Sequence, residues 1–427
     1  MNARNILSRL FEPRWAGRTF VGLAFALFVF CSGGLVAGPN TIPQQRDWQP
    51  QRTWVFVVGT LEWKNREMFE YFPQKNRRDA QLVEFFRQQG VPQQQLVYLK
   101  DAQATTQRVK AAFSEFLGKA REGDLLFVYY CGHGYKSEDA RTTYFATFDA
   151  GGDVPGWSTE SIVKDVEKYF KGARAFLTAD CCYSGSLAQQ ARQLGRRVSF
   201  ACLTSSSASQ LSTANWTFTE TLLAGLSGRP FADLNGDGQI TFGELAEDVK
   251  ADLAFAEEQL STFVTTGNFA PGAVLAQARR KSNPQISRRV EVRSEGKWWK
   301  ARVIDARAGT FLVHYYGWED WDDQWVRLNQ IREPKVVEYS AGLTVEVIWN
   351  RKWYPAKILS VELGVHLIHY VGYDDGWDEW VGAKRIRQAG NPPRPSGTTW
   401  TTDKFGAPGV RCCRTSNRLV LSEEEIR

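Results

Sequence analysis

Residues 174–187 read RAFLTADCCYSGSL. From Arg174 to Asp180 the run is apolar with no alternation, the pattern of a strand buried on both faces. It ends in an acid, two adjacent cysteines and a turn of small residues. Two thiols side by side at the end of such a strand suggest that only one of them is structural. Similar runs lie around it. RTWVFVVGT (52–60), QLVYLK (95–100), DLLFVYYCGHG (124–134), TTYFATFD (142–149) and VSFACLTSS (198–206) all read as strands. Amphipathic helical stretches separate them: KNRRDAQLVEFFRQQG closed by Gly90, TTQRVKAAFSEFLGKA capped by Thr105 or Thr106, and STESIVKDVEKYF with a capping box at its start.

Strands alternating with helices give an α/β fold, a mostly parallel sheet flanked by helices. Ligands of such sheets gather at the carboxyl ends of the strands. Gly-His-Gly (132–134) and Asp-Cys-Cys (180–182) both lie at such ends. The chain has four histidines, and only His133 precedes residue 314. Imidazole chemistry in this domain must therefore use His133. A thiol with its ordinary pKa of about 8.5 is a poor nucleophile, and an imidazole can take its proton. His133 and Cys182 on adjacent strand ends would form such a dyad. Taken singly, a cysteine at a buried strand end reads as a small inert hydrophobe, and a lone histidine as structural.

YYCGHG (129–134) and DCCYSG (180–185) together resemble the two active-site motifs of the caspase-like cysteine peptidases, nearest the metacaspase and bacterial branch. The resemblance spans about residues 50 to 280. It implies Cys182 as nucleophile and His133 as its base, with Cys181 in a tolerant position. It implies an oxyanion hole from the backbone N–H groups of Gly134 and Cys182. It also implies that Asp180 and Asp79 line an S1 pocket, hence cleavage after Arg or Lys. Cys131 stands where the family usually has serine. Read without the family, Asp180 could cap a turn and Asp79 could sit on a solvated helix face.

DLNGDGQITFGE (233–244) fits a twelve-residue EF-hand calcium loop at each ligand position. Asp233, Asn235 and Asp237 take positions 1, 3 and 5, and Gln239 offers its carbonyl. Thr241 takes position 9 and Glu244 the bidentate closure. The bland alternative is a metal-free Asx-rich turn. A bound Ca2+ is expected to brace the fold.

An offset of 55 exposes a duplication between residues 290–326 and 345–381. Each unit reads as a small β-barrel, and the pair resembles the Tudor-knot and chromo-barrel group of SH3-like modules. Such modules bind peptides or methylated side chains. Trp299, Tyr316 and Trp318, and Tyr354, Tyr373 and Trp377, are the candidates for that role. The coincident tryptophans, Trp298/Trp353 and Trp325/Trp380, are expected to fill the barrel cores. His314 and His369 are expected to be structural.

At the N-terminus, four arginines precede an uncharged stretch from Thr19 to Gly38, long enough for a signal-peptide core or one membrane span. The rest of the chain is therefore expected outside the cytoplasm, secreted, periplasmic or tethered by its N-terminus. The domain plan is a signal peptide or anchor (1–40), linker (41–51), peptidase domain (52–280), barrels (286–335 and 341–389), then linker and tail (390–427). Seven cysteines show neither zinc spacing nor a dense disulfide framework. Net charge is +6, with 53 basic against 47 acidic side chains, which does not argue for nucleic acid. The reading is a cysteine endopeptidase acting on protein or peptide substrates, with barrels that dock a peptide or envelope ligand. The rivals are an inactive caspase-like scaffold that binds peptides and a chromatin-like binder.

Overall fold

The computed structural model describes residues 47–388. The signal peptide or anchor, most of the first linker, and the C-terminal linker and tail lie outside the described residues. Among the described residues, no helix is long and apolar enough to cross a membrane.

The chain runs through β1 (Thr53–Gly59), α1 (Arg78–Gln88), β2 (Leu96–Lys100), α2 (Thr106–Gly118) and β3 (Leu125–Cys131) in the order the periodicity sets. β4 (Gly134–Lys136), β5 (Thr143–Phe145) and β6 (Trp157–Ser158) form a separate antiparallel sheet. The strand expected across 142–149 is thus three residues long and stays out of the main sheet. Then come α3 (Thr159–Tyr169), β7 (Arg174–Asp180), α4 (Gly185–Leu194), β8 (Ser199–Thr204), α5 (Thr217–Leu226), β9 (Gln239–Thr241), α6 (Phe242–Glu257), β10 (Thr262–Thr265) and β11 (Val274–Gln277).

The main sheet has the order β10-β8-β7-β3-β1-β2. Its strands are parallel except β10, which pairs antiparallel on one edge. Alternate side chains of β1 feed two cores, as the unbroken apolar run requires. Phe56 and Val58 meet α2, α3 and α4 through Phe113, Val163 and Leu187. Val55 and Val57 meet α1, α5 and α6 through Leu82, Phe218 and Leu245. Each fully buried large side chain contributes roughly 1.5–3 kcal/mol of transfer free energy. Thr105 accepts from Arg108 N at 3.4 Å and Ser158 from Ser161 N at 3.1 Å, so both helices start where their caps lie.

The duplication gives two five-stranded antiparallel units. The first contains β12 (Arg289–Ser294), β13 (Lys297–Arg307), β14 (Thr310–Tyr315), β15 (Gln324–Arg327) and β16 (Ile331–Arg332). The second contains β17 (Thr344–Trp349), β18 (Lys352–Glu362), β19 (Val365–Tyr370), β20 (Glu379–Gly382) and β21 (Ile386–Gln388). Even their bulges coincide, at Val303/Asp305 and Ile358/Ser360. The coincident tryptophans do not fill the cores. Small branched residues do, with Val292, Val303 and Val313 matched by Val347, Ile358 and Ile368. Trp298 is 37% exposed beneath the Arg332 guanidinium at 3.9 Å, and Trp353 lies beneath Arg387 at 4.1 Å. A barrel this narrow has room for valines, and the indoles cover it from outside under stacked arginines.

The first barrel is joined to the peptidase domain by buried charge. Arg302 Nη2 lies 2.7 Å from Asp248 Oδ1, and its Nη1 lies 2.9 Å from Asp252 Oδ2. Arg289 meets the same two carboxylates at 2.7 Å each. Both acids project from α6 and are essentially inaccessible. Removing one partner of a buried pair strands the other without solvent. Arg302→Ala should therefore cost about 3–5 kcal/mol in urea unfolding. Arg293→Ala, at an exposed position of β12, should stay within about 0.5 kcal/mol.

Candidate active site

β3 and β7 pair in parallel from Leu125↔Arg174 to Cys131↔Asp180. His133 and Cys182 each stand two residues past the last pair, beyond the ends of the two strands. Both side chains are fully buried. Gly132, with φ of +146°, has no room for a Cβ, which would strike Thr60 O and the Tyr130 hydroxyl. A Cβ on Gly134 would overlap the carbonyl of Cys182. These two glycines let the strand ends close on each other.

The His133 ring lies among Trp63, Phe69 and Phe72, with centroid distances of 4.4, 5.5 and 4.5 Å. Its Nε2 is 2.7 Å from the Glu70 carbonyl oxygen. A carbonyl only accepts, so Nε2 carries the proton and Nδ1 is the basic nitrogen. Burial pushes the imidazole down to about 4, so it is neutral at pH 7. Loop residues 61–72 thus orient the histidine and cover it. No motif marked Glu70 beforehand, because only its backbone is used.

The two adjacent cysteines part company. Cys181 belongs to the main core under α3 and α4. Cys182 sits in a small separate cluster with Tyr183 and Leu211. Ser212 N donates to Cys182 Sγ at 3.0 Å, which ties the sulfur to loop 205–216. Tyr183 holds the left-handed region at φ +56°, a strained conformation at the turn after the sulfur. Cys131, Cys181 and Cys202 are free, and burial raises each of their pKa values far out of the neutral range.

Asp180 lines a cleft of about 750 Å3, counting the space open to solvent, together with Cys131, Gly132 and Glu220. Its Oδ2 accepts from the Thr219 hydroxyl at 2.7 Å. Burial nevertheless pushes its pKa up to about 7, outweighing the hydrogen bonds from Thr219 and Ser205. Asp79 does not line this cleft, contrary to the expectation from resemblance. It is fully buried, held by Arg77 at 2.7 Å and by the Tyr98 hydroxyl at 2.8 Å. Its charge is already matched.

In the 233–244 loop, Asp233 accepts from Gly236 N at 2.7 Å and Gly238 N at 3.0 Å. Asn235 Oδ1 accepts from Asp237 N, and Asp237 Oδ1 from Gln239 N. Glu244 folds back to accept from Leu234, Asn235 and Thr241 N–H groups. The ligand positions offer only oxygens, from three carboxylates, an amide, a hydroxyl and a backbone carbonyl, which suits a hard divalent cation. The segment entering the loop is a single 3-10 turn, Pro230–Ala232. β9 pairs with β11 and not with a second such loop among the described residues.

The barrel aromatics divide. Tyr316 donates to Asp252 Oδ1 at 2.5 Å and packs on Phe255, so it serves the domain junction and not a barrel ligand. Trp299 backs Trp318 edge-on at 5.1 Å. In the second barrel, Tyr354, Tyr373 and Trp377 pack against the core, with Tyr373 and Trp377 6.0 Å apart. His314 and His369 meet Asp323 and Asp378, each at 2.8 Å from Nδ1, which matches their structural reading.

The Asp180 carboxyl keeps its proton to about pH 7 when folded and releases it near the ordinary value of 3.8 when unfolded. Its contribution to stability is fully present below about pH 4 and lost as pH rises to about 7. Asp180→Asn should flatten that part of the Tm-versus-pH curve.

Residues 81–190 match the family described as metacaspase, peptidase C14 domain. Residues 288–336 match the Agenet domain, and 340–388 the Tudor-knot family, described as RNA binding activity-knot of a chromodomain. No curated protein matches the chain. Among solved structures, protein GSU0716 from Geobacter sulfurreducens is similar over 53% of this chain and 97% of its own, at 14% identity and TM-score 0.39. The ADCP1 tandem Agenet domain 3-4 is 19% identical over 25% of this chain and 79% of its own, at TM-score 0.12. Arabidopsis thaliana AGDP1 AGD34 is 19% identical over 24% and 79%, also at TM-score 0.12. The chain carries a metacaspase-type peptidase C14 domain of the caspase-like cysteine peptidases, followed by an Agenet and a Tudor-knot module.

Proposed function

We propose that the protein is a cysteine endopeptidase whose reduced Cys182 is the nucleophile and whose His133 is the base. The observation that supports this is the β3/β7 register, which pairs Cys131 with Asp180, two residues before His133 and Cys182 respectively. His133 Nδ1 takes the Cys182 proton, and the thiolate attacks the peptide carbonyl. The backbone N–H groups of Gly134 and Cys182 stabilise the oxyanion. The proton passes to the leaving amine, and water then hydrolyses the thioester. Asp180 lines the cleft, two residues before Cys182 in the chain, and favours Arg or Lys before the scissile bond. Asp79, neutralised by Arg77, has no direct part in that preference. Both dyad side chains are covered, so loop 61–72 or loop 205–216 must move to admit substrate.

Ca2+ held by Asp233, Asn235, Asp237, Gln239, Thr241 and Glu244 would neutralise the loop's carboxylates and fix the start of α6. We assign the ion a bracing role. The protein works outside the cytoplasm, released or tethered by its N-terminus. Trp299 and Trp318, with Tyr354, Tyr373 and Trp377, offer aromatic surface for peptide segments of targets. One observation favours the scaffold reading: the sealed dyad is also what a peptide-binding relative with no activity would have.

Hydrolysis of an Arg-containing fluorogenic peptide by the reduced full-length chain separates the two. Cys182→Ala and His133→Ala should each lower kcat by at least about a hundredfold. A parent without activity under these conditions would leave the scaffold reading. Adding Ca2+ should raise Tm, chelation should reverse the rise, and Glu244→Gln should abolish the response. An unresponsive parent would contradict the calcium assignment.

A further inference from the structure

The cleft in front of Asp180 is not built by the peptidase domain alone. Leu61 and Phe72 stand on one side of it, and Gly317, Trp318 and Glu319 stand on another. Those last three residues belong to the connection between β14 and β15 of the first barrel. The connection is held firmly. Arg78 of α1 reaches Glu220 of α5 at 2.7 Å, Asp320 at 3.0 Å and Glu319 at 3.6 Å. His314 Nε2 adds a contact of 3.7 Å to Glu220. Tyr316, one residue before Gly317, donates to Asp252 on α6. A Cβ on Gly317 would lie 3.6 Å from Asn215 of the loop over Cys182. The barrel edge is thus tied to α1, α5 and α6 and touches the loop that covers the sulfur.

Trp318 keeps 43% of its surface exposed although Trp299 supports it from behind. Asp180, Glu220 and Glu319 all face the cleft, with Lys75 as the one cation among the described residues lining it. Arg78 and His314 already compensate Glu220. Asp180 and Glu319, the latter 3.6 Å from Arg78, stand as an acid on each side, one from each domain, beside an exposed indole. Carboxylates and an aromatic face together recognise a guanidinium or ammonium: the charge pairs and the flat group stacks.

We propose that the first barrel is a working part of the substrate cleft, its Trp318–Glu319 edge binding an Arg or Lys side chain of the bound polypeptide across from Asp180. The proposal rests on the peptidase reading for what enters the cleft. It makes the barrel a determinant of specificity as well as a docking module.

The test uses the reduced full-length chain, an Arg-containing fluorogenic peptide, and agmatine as a free guanidinium probe. Trp318→Ala and Glu319→Gln should each raise KM about tenfold with kcat nearly unchanged, the size of one lost cation–π or charge-assisted contact. Trp318→Phe should recover most of the loss. Asp320→Asn, which also weakens the Arg78 junction but lies outside the cleft, should leave KM unchanged. Agmatine binding by calorimetry should weaken in step in the same variants. Hydrolysis by the parent with no KM change in Trp318→Ala and Glu319→Gln would overturn this proposal and leave the peptidase reading standing. A KM rise in Asp320→Asn equal to that in Glu319→Gln would overturn it too, as mere loosening of the junction. If the parent does not hydrolyse the peptide, agmatine binding that needs Trp318 and Glu319 would still support the cleft. Absent or variant-independent binding would overturn it.

Discussion

The register between β3 and β7 is the constraint on which the rest depends. Side chains alternate across a strand, so a slip of one residue would turn Cys131 and Asp180 to the wrong faces and separate the two loops beyond them. The register is fixed by two hydrophobic cores, one on each side of the sheet, which accept the β3 and β7 side chains in only one phase. Gly132 and Gly134 then allow an approach that any side chain would block. Site geometry in this protein is therefore set by core packing. The cores hold the strands, the strands align their ends, and the ends carry the imidazole and the sulfur.

The cover over that site has the same physical character. His133 is enclosed by aromatic rings and oriented by a backbone carbonyl, and Cys182 lies beneath a loop tied to it by an N–H group. The loop is itself braced from outside. Gln210 Nε2 donates to the Trp380 carbonyl of the second barrel at 3.1 Å, and Leu260 N donates to Gln210 Oε1 at 3.0 Å. Both barrels thus bear on the active-site region, the first at the cleft and the second at the loop. Exposed modules on flexible linkers would not do this. Buried ion pairs such as Arg302 with Asp248 and Asp252 add little to stability over apolar packing but resist rearrangement, which suits a junction that must hold one orientation.

Much of this was legible in the sequence. Unbroken apolar runs between amphipathic helices gave the parallel sheet, because burial on both faces leaves no room for polar alternation. The lone His133 and the Asp-Cys-Cys turn gave the candidate dyad. The 55-residue offset gave both barrels, down to matched bulges and matched His–Asp pairs. Other features were not legible, for identifiable reasons. Trp298 and Trp353 looked like core because tryptophan is large and apolar. Their place outside the core, beneath stacked arginines, depends on the cross-strand neighbours β16 and β21, which no local pattern announces. Asp79 looked like a pocket acid, and its capture by Arg77 and Tyr98 depends on how α1 meets β1 and β2. The Glu70 carbonyl carries no side-chain signature at all. The Trp318–Glu319 edge lay within the repeat, but only tertiary packing shows that it reaches Asp180.

The central claim is that the chain brings Cys182 and His133 together as a reactive pair. Covalent labelling tests it most directly. The reduced full-length chain is treated with a peptidyl chloromethyl ketone bearing Arg next to the warhead, and the modified residue is mapped by mass spectrometry in the parent and in His133→Ala. The account predicts one adduct, on Cys182, formed about a hundredfold more slowly without the imidazole. Labelling at Cys131, Cys181 or Cys202 in its place, or labelling of Cys182 at the same rate in both proteins, would contradict it.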